Sequence, residues 1–170
     1  MTRWRWRQRA SRLVVVLVVT AAGCSHVVAP DQPATVVPVV RLRAEPYSFT
    51  FYSGLVEPQR LVVRDPATWS QVWATIWRNQ SPTPPLPDHD FARDMLVVVA
   101  LGQRSTGGYS ILIDSAEATS DGVTVLVRAV VPGAGCGVTL ALTQPVDIAR
   151  LPRTDATVKF RDRTVQQFCQ

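Results

Sequence analysis

Short β-type segments recur along the sequence after residue 45. Residues 95–101 form a continuous apolar run of the kind found in a central strand. Seven further segments have short apolar or alternating patterns, at residues 47–52, 60–64, 110–114, 123–131, 138–142, 146–151 and 157–161. Turn signals such as Asp121-Gly122 and Pro132-Gly133 separate several of them. Short strands with short connections predict an antiparallel sheet or sandwich.

One segment carries a clear helical period. Its apolar side chains recur at spacings of three and four residues, as Trp69, Val72, Trp73, Ile76 and Trp77. Asp65 has the character of an N-cap, and Pro66 suits the first helical position. Because one apolar face of a helix must pack somewhere, we expect this stripe to cover a sheet rather than bind a ligand or membrane. The chain of 170 residues is therefore predicted to be one mainly β, α+β domain with a single amphipathic helix.

The excess positive charge is confined to the N-terminus. The net charge is +5 and the isoelectric point about 9.7. Five of the 18 basic residues precede Cys24 with no acidic residue among them, namely Arg3, Arg5, Arg7, Arg9 and Arg12. The remaining 13 basic residues balance 13 acidic ones. A neutral body argues against a nucleic-acid partner, which needs a surplus of Lys and Arg on the folded domain.

Residues 1–23 have the layout of a secretory signal peptide. An Arg-rich stretch is followed by a short apolar run and by Ala21-Ala22-Gly23 before Cys24. This ending resembles the lipobox of bacterial lipoproteins, in which the cysteine becomes the lipidated first residue, although Ala21 replaces the usual Leu. An ordinary signal peptide cut near Gly23 is the alternative. The resemblance implies export to a bacterial cell envelope, with Ser25 compatible with the outer membrane, facing the periplasm or the cell surface.

Residues 24–44 are interpreted as a tether before a domain at residues 45–170. Pro30, Pro33 and Pro38 interrupt any helix in this stretch and favour extended backbone. Its valines leave open that its end packs on the domain as an edge strand.

Cys136 and Cys169 are the two cysteines that remain when Cys24 is set aside. In an exported chain, two remaining thiols predict a structural disulfide. A reactive thiol or a zinc site is the alternative, but the pair lacks a CxxC spacing and the chain has only two histidines.

The sequence offers little for catalysis. His26 lies beside the predicted anchor, and His89 lies between Asp88 and Asp90 in a Pro-rich loop without a GxSxG nucleophile motif. We interpret His89 as a solvated loop histidine and the flanking carboxylates as a poor metal site. The glycines around Cys136 lack the lysine of a phosphate loop and indicate a hairpin turn. We therefore predict no enzyme, no metal and no cofactor.

The most distinctive motif is Thr106-Gly107-Gly108-Tyr109, which follows the apolar run at residues 95–101. Together with residues 90–102, Cys136 and Thr143-Gln144-Pro145, it resembles the PrcB C-terminal-domain family over roughly residues 60–165. That family is named after an accessory lipoprotein subunit of a bacterial surface protease complex. The resemblance implies a small, mostly β, exported domain that associates with a protease and supports its assembly.

A looser resemblance links the same motif to the TTGY loop of chagasin-type cysteine-protease inhibitors. This sequence departs from that loop by an inserted glycine and by Arg104-Ser105 in place of Asn-Pro. An accessory subunit is therefore the predicted function, and a protease inhibitor is the alternative. A structural envelope protein without a discrete partner is a further possibility.

Residues 102–109 are predicted to be the partner-binding loop, with Arg104, Thr106, Gly107, Gly108 and Tyr109 as its contact residues. Gly107 and Gly108 permit close approach by a partner. Arg104 supplies donors for a carboxylate, and Tyr109 is an aromatic residue of the kind enriched at interfaces. The competing interpretation is that the glycines make a tight hairpin turn and that Tyr109 plugs the edge of the sheet.

Overall fold

The computed structural model describes residues 33–42 and 52–169. The predicted signal peptide and Cys24 lie outside these residues, as does nearly all of the predicted strand at residues 47–52. The elements, in chain order, are β1 (Thr35–Val37), β2 (Val40–Arg41), β3 (Gln59–Val63), α1 (Pro66–Trp77), β4 (Asp94–Ala100), β5 (Ser110–Thr119), β6 (Gly122–Pro132), β7 (Val146–Pro152) and β8 (Val158–Gln167).

Two four-stranded sheets face each other. Sheet A has the order β1-β5-β6-β8 and sheet B the order β2-β7-β4-β3. All neighbouring strands are antiparallel except β6 and β8, which are parallel. Over the residues that the structure describes, the predicted mainly β fold with one helix is confirmed, and the parallel pair is the exception to the expected antiparallel pairing.

Strand β4 lies at the centre of the molecule and is buried on both faces. Leu96, Val98 and Ala100 join one core cluster with the helix. Met95, Val97 and Val99 join a second cluster with sheet A. The run is continuous rather than alternating because each of its faces contacts an apolar layer.

Helix α1 covers the outer face of sheet B, as predicted. The Asp65 carboxylate accepts the backbone N–H of Thr68 at 2.8 Å, which caps the first turn. Trp69, Trp73 and Trp77 are buried within the first cluster. The indole N–H groups of Trp69 and Trp73 donate to the carbonyls of Pro87 and Pro84, so that the helix also holds the Pro-rich loop.

The end of the predicted tether is part of the fold, which is the alternative the sequence left open. Strand β1 pairs with β5 in sheet A, and strand β2 pairs with β7 in sheet B. Chain between Val37 and Val40 crosses from one sheet to the other, with Pro38 at the point where β1 ends.

The disulfide between Cys136 and Cys169 is present, with the two Cα atoms 5.1 Å apart. It joins the loop after β6 to Cys169, two residues beyond the end of β8. The turn beside it is not a hairpin, because β6 lies in sheet A and the next strand, β7, lies in sheet B.

The predicted strand at residues 138–142 is wrong, because this segment is irregular. Leu140 and Leu142 both face solvent, so their apolar side chains do not mark a face that packs on the core. The other predicted strands within the described residues correspond to β3 to β8, with ends shifted by a few residues.

Candidate functional site

Three connections meet at one end of the sandwich, and we call them the apical loops: residues 52–58, 101–109 and 133–145. They lie where β3 and β7 begin and β4 ends, since Ala100 pairs with both Gln59 and Val146. The opposite end, marked by the turn between β5 and β6, is called the base.

Backbone hydrogen bonds join the apical loops to one another. The N–H of Arg104 donates to the carbonyl of Thr143 at 2.8 Å, and the N–H of Thr143 donates to the carbonyl of Arg104 at 3.0 Å. The N–H of Gln103 donates to the carbonyl of Val56, and that of Ser53 to the carbonyl of Gln144. The predicted binding loop is therefore held on both sides by neighbouring backbone.

Gly107 is buried where the loop approaches the segment after β6. Its N–H donates to the Thr139 carbonyl at 2.8 Å. A Cβ at this position would lie 2.3 Å from the Thr139 Oγ1 atom. Close packing within the protein thus explains this glycine without any partner.

Gly108 has a backbone φ of 83°, in the left-handed region that favours glycine. The residue is exposed. The loop joins β4 of sheet B to β5 of sheet A, so the Gly-Gly pair does not form the hairpin turn of the competing interpretation.

Arg104 and Tyr109 contact each other, and both are half-buried. The guanidinium carbon of Arg104 lies 5.8 Å from the centre of the Tyr109 ring, within the range of a cation–π contact. The Arg104 Nη2 atom donates to the Leu101 carbonyl at 2.8 Å, whereas its buried Nε atom has no acceptor among the described residues. The Tyr109 ring packs against the second core cluster.

Thr106 and three buried polar residues complete the network. The Thr143 hydroxyl donates to the Thr106 carbonyl at 2.8 Å, and the Gln144 amide donates to the Gln103 side chain at 3.0 Å. The Ser53 hydroxyl donates to the Gln144 carbonyl. In the sequence, Thr143-Gln144-Pro145 belongs to the family resemblance, but nothing there indicates this role. Here these residues hold the apical loops together.

Large apolar side chains are exposed on the apical loops. Leu140 is 91% exposed and Leu142 is 55% exposed. Tyr52 and Val56 are also exposed, and Phe168, just after β8, is 87% exposed at the same end. Side chains of this kind are costly to leave in water and are typical of protein interfaces when they cluster.

A groove with a volume of about 580 Å³ lies on the apical loops, and Val56 is part of its lining. Its lining residues come from two of the apical loops: Val56, Glu57, Pro58, Leu101, Gly102, Gln103 and Arg104. Gly102 has a φ of 76°, and a Cβ there would lie 2.8 Å from the Pro58 ring. The groove therefore has a mixed lining, in which apolar side chains alternate with the Gln103 amide, one acidic side chain and one basic side chain.

His89 lies near the base and is not the solvated residue that we expected. Its ring is half-buried, with its centre 4.7 Å from that of the Phe91 ring. Burial lowers the pKa of His89, since removal from water disfavours the charged imidazolium. The Asp88 and Asp90 carboxylates accept backbone N–H groups of their own loop. Within residues 33–42 and 52–169, no group of three or more His, Cys, Asp or Glu side chains is arranged to hold a metal.

A buried acidic residue that the sequence analysis missed is Asp147 on β7, which is 2% exposed. Both of its carboxylate oxygens accept the Arg41 Nε–H at 3.0 Å, and one of them also accepts the Ile113 N–H at 2.8 Å. Arg41 also donates to the Ile113 carbonyl. Burial raises the pKa of Asp147. This cluster fixes β2 to β5 at Ile113, next to a bulge where the register with β6 shifts between Ile113 and Ser115. In the sequence, the sign of it is a single carboxylate within an apolar strand.

Residues 95–152 match the family model described as PrcB C-terminal. The match extends from β4 to the end of β7 and includes the two longer apical loops. It confirms the resemblance found from the sequence. No curated protein and no solved structure is significantly similar to the chain. In the described part of the chain, no helix has the length and apolarity needed to span a membrane.

Proposed function

From the premise that residues 95–152 carry the PrcB C-terminal match, we propose that this protein is a non-catalytic accessory subunit of a protease complex. Its partner is another protein of that complex. It is exported, carries a lipid on Cys24, and is held at the bacterial cell envelope by that lipid. The apical loops contact the partner, and Arg104 and Tyr109 contribute to that contact.

The observation that carries this proposal is the exposure of three large apolar side chains, Leu140, Leu142 and Val56, on the apical loops. The backbone beneath these side chains is fixed by the hydrogen bonds among the three loops. A rigid surface loses little conformational freedom when a partner binds. Exposed leucines on a rigid backbone are therefore better suited to bind a protein than exposed leucines on a mobile loop would be.

The position of the tether supports an arrangement with the apical loops facing away from the membrane. Strand β1 begins beside the end of β5, since Thr35 pairs with Ala118 close to the turn between β5 and β6. Chain arriving from Cys24 thus enters the domain at the base. The roughly ten residues between Cys24 and Thr35 span at most about 30–35 Å.

The test is recovery of the partner from membranes of cells that express the tagged, full-length protein. We compare wild type with Leu140→Ser/Leu142→Ser and with Arg104→Ala/Tyr109→Ala. The matched control is Val36→Ser/Val40→Ser, because these valines are 75% and 48% exposed but belong to β1 and β2. The apical variants should lose the partner, identified by mass spectrometry, while the control retains it.

Protease activity in the same membranes separates the possible roles. An accessory subunit predicts that deletion of the protein lowers the abundance of the protease. If purified protein instead lowers protease turnover at stoichiometric ratio, it is an inhibitor and the proposal is wrong. Equal recovery of the partner by wild type and both folded apical variants also contradicts it.

A further inference from the structure

Strand β8 is an edge strand whose outer side is open. It is the last strand of sheet A among the described residues and pairs there only with β6. Every residue from Arg161 to Gln167 is exposed. An edge strand of ten residues offers a long row of backbone donors and acceptors to another strand.

Two hydrogen bonds show which residues present these groups. The Thr157 carbonyl accepts the N–H of Val123, and the Gln167 carbonyl accepts the N–H of Gly133. Because the backbone groups of a strand alternate in direction, the odd-numbered residues of β8 bond to β6. The N–H and C=O groups of the even-numbered residues, such as Asp162, Thr164 and Gln166, point to the open edge.

Side chains of the odd-numbered residues form a basic row on the outer face of sheet A. Val158 and Phe160 pack against the second core cluster, so Lys159, Arg161 and Arg163 point the other way. Arg163 shares the Asp114 carboxylate with Arg128. Lys159 and Arg161 make no ion pair with any residue that the structure describes.

This charge pattern disfavours a second copy of β8 in the register that pairs the basic parts of the two strands. Suppose that two copies of β8 pair antiparallel with their basic side chains on the same face. Lys159 of one copy then lies opposite Arg163 of the other, and the two Arg161 side chains lie opposite each other. Like charges directly opposite each other destabilise a strand pair, whereas opposite charges stabilise it. The edge is therefore closed to self-association in this register and selective for an acidic strand.

We propose that the open edge of β8 binds an extended segment of the partner protein that carries carboxylates at alternate positions. The segment adds a fifth strand to sheet A, with backbone bonds to the even-numbered residues of β8. Its carboxylates lie opposite Lys159, Arg161 and Arg163. In an antiparallel arrangement these residues occupy the non-hydrogen-bonded sites, where side chains on neighbouring strands lie closest.

The edge leads directly to the apical loops. Gln167 at the end of β8 bonds to Gly133, and the disulfide ties Cys169 to Cys136. Phe168 is exposed between them. A segment bound along β8 thus continues onto the proposed binding surface, and this inference rests on the proposed function in that the segment belongs to the same partner.

A peptide experiment tests the edge independently of the apical loops. The probe is the fluorescently labelled, end-blocked heptapeptide Thr-Glu-Thr-Glu-Thr-Glu-Thr, and the comparison probe has lysine in place of each glutamate. Anisotropy should show salt-sensitive binding of the glutamate peptide only. Lys159→Gln/Arg161→Gln should weaken that binding about tenfold, while Arg78→Gln/Arg93→Gln, which removes the same charge elsewhere, should leave it unchanged.

Thr164→Pro distinguishes strand addition from simple charge attraction. This substitution removes an outward N–H from the open edge and leaves the bonds between β8 and β6 in place. It should abolish peptide binding, with an unchanged circular dichroism spectrum as evidence of folding. If the variant does not fold, Gln166→Pro serves the same purpose, because its N–H also points outward.

A carbodiimide cross-link identifies the contact in the full protein with its partner. Lys159 is the only lysine in the sequence. A cross-link that joins a lysine amine of this protein to a carboxylate of the partner must therefore lie on β8. Equal binding of both peptides, or binding that Thr164→Pro does not change, overturns the inference. So does binding of a thymidine oligonucleotide with the same dependence on Lys159 and Arg161. If the apical variants lose the partner while Lys159→Gln/Arg161→Gln retains it, the proposed function stands and the role of β8 is refuted.

Discussion

Gly107 is the residue of the TGGY motif for which the structure gives the sharpest stability prediction. A methyl group at Gly107 would collide with the Thr139 hydroxyl. We expect Gly107→Ala to lower the free energy of unfolding by about 1–3 kcal/mol, as overpacking does. Thr139→Ala removes the hydroxyl, so the double variant should regain most of this loss in chemical denaturation. If the two substitutions are additive, the collision does not determine the glycine.

Trp73 is the central aromatic residue of the helix stripe, and its burial defines a second prediction. It contacts Trp69 and Trp77, with ring centres 5.2 and 5.4 Å away, and its indole N–H donates to the Pro84 carbonyl. Trp73→Ala should therefore lower the free energy of unfolding by about 3–5 kcal/mol. Gln71→Ala, an exposed change on the same helix, is the control and should change it by less than about 0.5 kcal/mol.

Asp114 links three strands and should shape the acid limb of the stability profile. Hydrogen bonds from Arg128, and then from Arg163, lower the pKa of Asp114. A lowered pKa in the folded state stabilises the fold above the ordinary pKa of an aspartate, and this stabilisation is lost as the pH falls through the folded value. Asp114→Asn should therefore flatten the fall of Tm on acidification. Arg128→Leu should do the same because it removes the main cause, and an unchanged acid limb in both variants would contradict the assignment.

At the scale of elements, the disulfide is expected to hold the end of β8. All residues from Arg161 to Cys169 are exposed, so few apolar contacts keep this stretch in place. Cys136→Ser/Cys169→Ser should cost about 3–4 kcal/mol in the chain-entropy model for a loop of this length. Amide hydrogen exchange should rise first in the second half of β8. Reduced wild type should match the variant, and equal stability of the oxidised and reduced protein would show that the bond does not constrain this end.

The elements that were predicted correctly are those whose pattern of apolar residues has a single physical cause. The run at residues 95–101 is apolar because β4 is buried on both faces, and the Trp period marks one face of α1. Residues 138–142 have a similar composition, but Leu140 and Leu142 face solvent. An apolar segment on the surface has the same sequence pattern as one in the core. The two are distinguished only when the neighbours of the segment in the fold are known.

The pairing partners of the strands and much of the candidate site could not be predicted from the sequence for a related reason. A strand pattern gives a period of two but not a direction, so the parallel pairing of β8 with β6 could not be read from it. Thr143 and Gln144 act through bonds to Arg104, Thr106 and Gln103, some forty residues away in the chain. The TGGY motif was found from sequence, whereas the segment that supports it required the fold.

At the scale of the whole molecule, we predict that the proposed anchor holds the base of the described domain nearer to the membrane than the apical loops. The tether enters beside Ala118 at the base, and β6, which runs from base to apex, has 11 residues. At about 3.3 Å per residue the two ends are roughly 35 Å apart. The anchored domain should therefore hold Asp121, in the basal turn, nearer to the membrane than Leu140.

Energy transfer to lipid measures this orientation. The paired cysteines leave a newly introduced one free for labelling, so donor dyes are placed on Asp121→Cys or Leu140→Cys in the lipidated protein, bound to vesicles with acceptor-labelled headgroups. Transfer should be clearly stronger from position 121, because its efficiency falls steeply over tens of ångströms. Cys24→Ser protein should show no transfer from either position, since it lacks the proposed anchor. Equal transfer from both dyes, or stronger transfer from position 140, would mean that the apical loops do not face away from the membrane and that a partner must approach them at the bilayer surface.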